Sequence, residues 1–227
     1  MGEAQELQFE VSPQAGNVSA LLLRPPDARC LLVLGHGAGA GMRHVFMEAL
    51  ARELAAAGVA TLRYQFPYME QKRRAPDSPA VAAATVRAAV EYAAKLTPEL
   101  PLLAGGKSFG GRMTSTAAAE QPLAGVRGLV FFGFPLHPPN RPGMKRAEHL
   151  ARVGVPMLFL QGTRDTLADL SLLRPVCEKL GERATLHVIE TADHSFHMLK
   201  RSGRSDAEAL RDLAITVADW AGTFGAA

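Results

Sequence analysis

One stretch, Leu102–Met113, constrains the fold of this chain more than any other. It begins with a short apolar run typical of a buried strand and breaks at Gly106–Gly110, which fits the pattern G-x-S-x-G. A helix-like segment, Arg112–Glu120, follows at once. A strand, a sharp turn and a helix in succession hold a serine hydroxyl clear of the backbone, and the glycines leave room for that turn. The alternative is a flexible glycine-rich loop, so a nucleophilic role for Ser108 depends on partners elsewhere in the chain.

Apolar runs and helix-like segments alternate from Cys30 onward, which predicts a mostly parallel sheet with helices on both faces. Before them, Glu6–Ser12 and Asn17–Leu23 alternate apolar and polar residues around a turn signal, and they predict an antiparallel hairpin. No linker, long repeat or low-complexity segment divides the chain. We therefore expect a single α/β domain over residues 1–227.

Composition excludes several classes of protein. No apolar run approaches the roughly 20 residues of a membrane span, and the first ten residues lack a secretory signal pattern. The net charge is only +3, without a Lys/Arg run among aromatic residues, so nucleic acid is not expected as a partner. Cys30 and Cys177 are isolated and lack metal-ligand spacing, which favours reduced thiols in the cytoplasm. We expect a cytoplasmic protein with no membrane partner.

Four chemically reactive segments follow predicted strands, and in such sheets ligands bind beyond the carboxyl ends of the strands. Three of them supply Ser108, Asp165 and His194, in the order serine, acid, histidine that the α/β-hydrolase arrangement uses. His194 would take the serine proton during attack on an ester carbonyl, and Asp165 would orient and stabilise the imidazole. The pattern predicts a catalytic triad.

The acid has alternatives within the same region. Asp165 also fits a helix N-cap before Leu167, and Asp169, inside the following helix, is a rival acid. Asp193 directly precedes His194 in the chain, and an immediate neighbour rarely points at the ring. We interpret Asp193 as a loop or capping carboxylate.

Two further histidines have structural interpretations. His36 lies in a glycine-rich turn and is expected to brace that turn, while His187 alternates with core residues on a strand. No His, Asp or Glu cluster has metal-ligand spacing, so no metal is expected. The remaining histidines have no partner visible in sequence; they are His44, His137, His149 and His197.

The fourth segment, Gly35–Gly41, follows the apolar run Cys30–Leu34 and supplies the backbone for an oxyanion hole. The tetrahedral oxyanion needs two fixed donors, for which we predict the amides of Ala38 and Phe109. A phosphate-binding loop is the competing interpretation. The segment lacks the Walker spacing and fits the dinucleotide fingerprint poorly, so no nucleotide cofactor is expected.

Basic residues in these loops raise the question of substrate charge. The cations are Arg43, Lys72, Arg73, Arg74, Lys107, Arg141 and Arg164. If they surround the site, the mouth is electropositive and favours anionic esters, and we take Arg43, Lys107 and Arg74 as candidate substrate-binding residues. The alternative is that several are solvated or paired with Glu70 and Asp77.

No separate cap domain is expected over the site. Caps usually follow the strand that ends near Phe132, where only the Pro-rich segment 133–154 is available. That segment has room for a loop and one short helix. An open site is the consequence.

Four pieces of the chain carry a family resemblance: residues 34–39, 105–112, 161–165 and 192–196. They resemble the α/β-hydrolase superfamily, in particular a small bacterial branch related to dienelactone hydrolases and to the hydrolase-like domain of a chromatin-complex subunit. The resemblance implies the α/β-hydrolase fold, with Ser108, Asp165 and His194 as the triad. Dienelactone hydrolase uses cysteine as its nucleophile, and the serine here means that lactone specificity does not carry over.

The combined prediction is a serine hydrolase that cleaves a carboxylic ester or thioester through an acyl-enzyme, without a cofactor. A serine peptidase or amidase would use the same triad. A binding module that has kept the fold and triad is the alternative from another class.

Overall fold

An eight-stranded sheet runs through the protein, in a computed structural model that describes residues 2–224. The strand order is β1-β2-β4-β3-β5-β6-β7-β8. The strands are β1 (Gln5–Ser12), β2 (Gly16–Leu23), β3 (Cys30–Gly35), β4 (Val59–Tyr64), β5 (Leu102–Lys107), β6 (Val126–Phe132), β7 (Met157–Gly162) and β8 (Ala184–Ile189).

The sheet is antiparallel only at its first edge. β1 pairs antiparallel with β2 and β2 antiparallel with β4, while every pairing from β4 through β3 to β8 is parallel. The predicted hairpin and mostly parallel sheet are confirmed. Parallel strands align their carboxyl ends, so the loops after β3, β5, β7 and β8 leave the same edge of the sheet.

Helices cover both faces, as the alternating pattern predicts. They are α1 (Val45–Ala56), α2 (Pro67–Glu70), α3 (Pro79–Leu96), α4 (Phe109–Glu120), α5 (Leu170–Leu180) and α6 (Asp206–Gly222), with 3₁₀ turns at Lys145–Arg152, Gly181–Arg183 and Lys200–Ser202. The helices α1 and α6 bury apolar residues such as Leu50 and Leu213 on one face. On the other face α3, α4 and α5 bury Val86, Met113 and Leu173.

Sequence-visible caps fix several helix ends. Ser78 accepts the amide of Val81 ahead of Pro79, and Ser205 with Glu208 forms a complete capping box at α6. No helix was expected from the sequence at the short α2. Four residues show no helical periodicity, and the carboxylate of Asp77 holds this helix by accepting the amide of Tyr68.

The chain between β6 and β7 forms loop and one 3₁₀ helix, Lys145–Arg152, which buries Leu150. The described residues contain no cap domain, as predicted. Across residues 2–224, no helix combines the length and apolar character needed to cross a membrane.

Candidate active site

Ser108 occupies a strained turn between β5 and α4. Its φ and ψ are 49° and −110°, a left-handed backbone that residues with a side chain rarely adopt. The turn brings three backbones together, because a Cβ on either Gly106 or Gly110 would collide with the carbonyl oxygen of Gly35. These glycines let strand β3 approach the turn, which lifts the Ser108 side chain to the edge of the sheet.

A hydrogen-bonded chain joins Ser108, His194 and Asp165. The Oγ of Ser108 lies 2.9 Å from Nε2 of His194, and Nδ1 of His194 lies 2.7 Å from Oδ2 of Asp165. Because a carboxylate only accepts hydrogen bonds, Nδ1 carries the proton and donates a hydrogen bond to Asp165. This tautomer leaves Nε2 free to accept a hydrogen bond from the serine hydroxyl. The structure therefore brings together three residues that lie 57 and 29 positions apart in the sequence.

The carboxylate of Asp165 is buried and held by more than the histidine. Its Oδ1 accepts the backbone N–H of Leu167 at 2.8 Å, and its Oδ2 also accepts a hydrogen bond from Nε2 of Gln161. Asp165 is not a helix N-cap, however, because α5 begins only at Leu170 and has Asp169 as its N-cap. Oδ1 of Asp165 closes a local turn, while Oδ2 faces His194. Gln161 was not singled out from the sequence.

The two rival carboxylates have other partners. Asp169 is the N-cap of α5 and accepts the amide of Ser171 at 2.8 Å. Asp193 accepts the amides of Ser195 and His197, so its expected role as a loop carboxylate is confirmed. Neither carboxylate contacts the ring of His194.

The turn after β3 is braced by His36, as predicted. Nδ1 of His36 donates to the carbonyl of Gly37 at 2.8 Å, and Nε2 accepts the amide of Phe66 at 3.2 Å. Burial lowers the pKa of His36 to about 4, which keeps the ring neutral and able to serve both partners. The hydroxyl of Tyr68 adds a second brace by accepting the amide of Gly39.

The amides of Ala38 and Phe109 flank the serine. Within residues 2–224, no hydrogen-bond acceptor is paired with either N–H. Phe109 is also the first residue of α4, where the helix dipole favours negative charge. Ala38 lines the cavity beside Ser108, and Phe109 directly follows the serine in the chain.

A cavity of about 720 Å³ opens beside Ser108 and His194. Its wall is mostly apolar, and it comes chiefly from α1, the loop after β8 and the start of α6. The lining residues include Val45, Phe46, Ala49, Leu167, Phe196 and Leu210, with Lys107 beside the serine and the pair His197 and Asp206 at the rim. Val45 at the start of α1 is 76% exposed.

Of the seven loop cations named from the sequence, Lys107 alone is among the residues that line this cavity. Arg43 turns away to an ion pair with Glu6 at 2.7 Å, and it lines a different depression. Arg74 is exposed and lies outside the cavity lining. Neither guanidinium therefore lines the cavity beside Ser108, because loops that leave one sheet edge can still point their side chains in different directions. Arg73 is paired with Asp77, as the alternative interpretation expected.

Lys107 does line the cavity, but it is almost fully buried. Its Nζ donates to the carbonyl oxygen of His194 at 2.6 Å. The residue therefore belongs to the interior of the site rather than to a charged mouth. Elsewhere in the described part of the chain, no group of three His, Cys, Asp or Glu residues is arranged to hold a metal ion.

Comparison with known proteins gives a family match over most of the chain. The model of the alpha/beta hydrolase domain matches residues 28–222. A serine hydrolase without a lid from Xanthomonas campestris is 21% identical, with 97% of this chain and 96% of that chain covered and a TM-score of 0.75. A dienelactone hydrolase from Anabaena variabilis is 23% identical, with 96% and 97% covered and a TM-score of 0.73.

An esterase domain from Rhodothermus marinus is a third similar structure. It is 16% identical, with 97% of this chain and 98% of that chain covered and a TM-score of 0.69. At such identities the three structures establish the shared fold.

Proposed function

The chain belongs to the alpha/beta hydrolase family, and on that premise we propose that it is a serine hydrolase that cleaves carboxylic esters through an acyl-enzyme. One observation carries the proposal: the continuous hydrogen-bonded chain from Ser108 Oγ through His194 to the buried Asp165, beside an open cavity.

In the acylation step, Ser108 Oγ attacks the carbonyl carbon of the ester. His194 Nε2 accepts the hydroxyl proton as the new C–O bond forms, and Asp165 stabilises the resulting imidazolium. The imidazolium then returns that proton to the alcohol oxygen as its bond to the carbonyl carbon breaks. The acyl group remains on Ser108 as an ester.

The same residues serve the second half of the reaction. A water molecule enters from the open cavity, gives a proton to His194 and attacks the acyl carbon. The proton then passes back to Ser108 as the acid leaves. In both halves, the amides of Ala38 and Phe109 are our candidates for binding the oxyanion.

The apolar cavity wall favours an uncharged substrate that carries an apolar group next to the ester. Val45, Phe46 and Leu210 offer an apolar surface, and Arg43 and Arg74 do not line the cavity. A carboxylate-bearing substrate would find no exposed guanidinium in the part of the wall that the structure describes. We therefore propose neutral esters with a compact alkyl or aryl group in place of the anionic esters expected from the loop composition.

The similar structures support ester chemistry without identifying a substrate. Two are named as a dienelactone hydrolase and an esterase domain.

The proposal is tested by steady-state hydrolysis of a p-nitrophenyl ester and its amide counterpart. Ser108→Ala should lower kcat by about 10⁶-fold, because the nucleophile is lost. Ser195→Ala is the matched control, since this exposed serine lies in the same cavity and should stay within about twofold of wild type. Faster turnover of the amide would favour a peptidase or amidase, and undetectable turnover of either substrate by a folded protein would favour a binding module.

A further inference from the structure

Lys107 places an ammonium group inside the protein, directly behind the hydrogen-bonded chain. It is the last residue of β5 and precedes Ser108, and its side chain is almost completely buried. Its Nζ reaches across to the loop after β8, where it donates to the carbonyl oxygen of His194 at 2.6 Å. The contact joins the strand that carries the serine to the loop that carries the histidine.

The charge of Lys107 has no direct ionic partner. Among residues 2–224, no carboxylate lies within ion-pair distance of its Nζ. Instead, the Nζ lies 5.8 Å from the ring centre of Phe46 and 5.7 Å from that of Phe196, and these two rings stack on each other. Aromatic faces attract a cation, but more weakly than a carboxylate does in direct contact.

Gly133 makes this arrangement possible. A Cβ at this position would lie 3.1 Å from Lys107 Nζ, 3.3 Å from His194 Nδ1 and 3.4 Å from Asp165 Oδ2. The three polar atoms therefore lie close around Gly133, where a side chain would crowd them. The backbone of Gly133 has a φ of +69°, which also favours glycine.

Burial makes the ammonium costly to the fold. It lowers the pKa of Lys107 from an ordinary 10.5 to about 8, despite the opposing attraction of Asp165 and Asp193. Between these two pH values the unfolded chain binds the additional proton, so the free energy of unfolding rises with pH in that window. At neutral pH the charged side chain therefore destabilises the folded protein relative to a lysine in water.

We propose that Lys107 is a positioning residue that uses its charged hydrogen bond to hold the main chain of His194 at a fixed distance from Ser108. The inference rests on the proposed function, because a fixed distance between histidine and serine matters for proton transfer. A hydrogen bond from an ammonium is about twice as strong as one from a neutral donor, and a buried one is shielded from water. The bond ties the loop that carries the base to the end of β5.

Other charged groups face this region from each element that packs against it. Asp165 follows β7, Asp193 lies on the histidine loop itself, and the remaining groups stand at the cavity rim. These rim groups are His44 before α1, His197 on the histidine loop and Asp206 at the start of α6. His197 donates from Nδ1 to Asp206 at 2.7 Å, and this hydrogen bond raises the pKa of His197.

The proposal predicts a distinctive pH dependence. Below pH 8 Lys107 is an ammonium, and above it an amine that donates a weaker hydrogen bond. Wild-type kcat should therefore fall about fivefold as pH rises through 8, with little change in KM. Lys107→Arg keeps its charge throughout this range and should show no such fall.

The main experiment compares Lys107→Met with wild type at pH 7. Turnover is measured by titrating the acid released from a short-chain ester. We expect kcat to fall about 10- to 100-fold, with KM within about threefold, because the substrate still fits the cavity while His194 is held less firmly. The thermal unfolding midpoint should stay level or rise, since the costly buried charge is gone. Lys95→Met is the matched control on the exposed surface of α3 and should change neither quantity.

Several results would overturn the inference. A kcat within twofold of wild type in a folded Lys107→Met protein would show that the bond is not needed. If Lys107→Met has a lowered unfolding midpoint or fails to fold, the pH profiles decide. Lys107 then has a purely structural role unless kcat falls above pH 8 in wild type and not in Lys107→Arg. If kcat falls equally above pH 8 in wild type and in Lys107→Arg, the charge of Lys107 is not what positions His194.

Hydrogen–deuterium exchange separates this inference from the proposed function, because it needs no turnover. Amides of residues 192–198 should exchange faster in Lys107→Met than in wild type, while those of β5 and α4 should not. Unchanged exchange in 192–198 would contradict the positioning role even if the protein is an active esterase. Faster exchange confined to that loop would support it even if no ester is cleaved.

Discussion

Asp165 divides its two carboxylate oxygens between structure and the proposed chemistry. Oδ1 caps the turn through the amide of Leu167, and Oδ2 receives the proton-bearing nitrogen of His194. Gln161 also donates to Oδ2 and so limits the freedom of the carboxyl group. This fixed acceptor selects the imidazole tautomer that leaves Nε2 facing Ser108.

Asp165→Asn should lower kcat by about 10⁴-fold in an ester assay, because an amide group can donate to Nδ1 and stabilise the wrong tautomer. The matched control is Asp193→Asn, one residue before the histidine, whose carboxylate accepts only backbone amides of its own loop. Its kcat should fall by less than about tenfold. A larger loss in Asp193→Asn than in Asp165→Asn would contradict the assignment of the acid.

For individual residues, the sequence was a good guide to the side chains that come together. It was a poor guide to those that point away from the site. Ser108, Asp165 and His194 follow strands whose ends share one edge, so their meeting follows from chain order and topology. Arg43 also follows such a strand, yet it pairs with Glu6 on the hairpin, a contact 37 residues away in sequence. The sequence around Arg43 contains no information on the direction in which its side chain points.

The element that organises the site is the junction of β3, β5 and α4. Gly35, Gly106 and Gly110 place their backbones in van der Waals contact, and the register pairs Gly35 with Gly106 directly. The close approach leaves no space for a Cβ, so the turn at Ser108 is held by packing around it. The pattern G-x-S-x-G is thus a packing requirement as well as a chemical motif.

Gly106→Ala should therefore destabilise the fold by about 3 kcal/mol or more, because the added methyl would meet the Gly35 carbonyl and the backbone of Gly110. For a chain of this length, the thermal unfolding midpoint should fall by roughly 10 °C. Gly143→Ala is the control, since nothing lies within 4 Å of its added Cβ. Equal midpoints for the two variants, measured by calorimetry, would show that the junction tolerates a side chain.

Element boundaries were predictable where capping residues mark them. Ser78 with Pro79 and Ser205 with Glu208 are capping patterns that can be read from the sequence, and they stand at the starts of α3 and α6. The braces of the turn after β3, Phe66 and Tyr68, were not predicted to act on it. They reach it through tertiary contacts to His36 and Gly39 about 30 residues away, which hydrophobic periodicity does not indicate.

At the scale of the whole molecule, the described part of the chain leaves the cavity beside Ser108 without a covering domain. The segment between β6 and β7 packs its 3₁₀ helix on α4 through Leu150 and does not extend over the site. A site without a lid has no closed state to be opened by a lipid surface. Substrates should enter directly from water.

Hydrolysis should therefore be fastest for short and medium acyl chains and should show no jump in rate when the ester exceeds its solubility. The cavity of about 720 Å³ accommodates a compact apolar group, whereas a long chain would extend into solvent and gain little from burial. A series of p-nitrophenyl esters of increasing chain length measures this preference. Preferred cleavage of long-chain emulsified esters would contradict an open site.

The central claim is that Ser108 is the nucleophile, and covalent labelling tests it most directly. A fluorophosphonate probe followed by peptide mass spectrometry should find one modified residue, Ser108, in wild type and in Ser195→Ala. Ser108→Ala should remain unlabelled while retaining the wild-type unfolding midpoint. Equal labelling of Ser108→Ala, or modification of another residue in place of Ser108, would contradict the account.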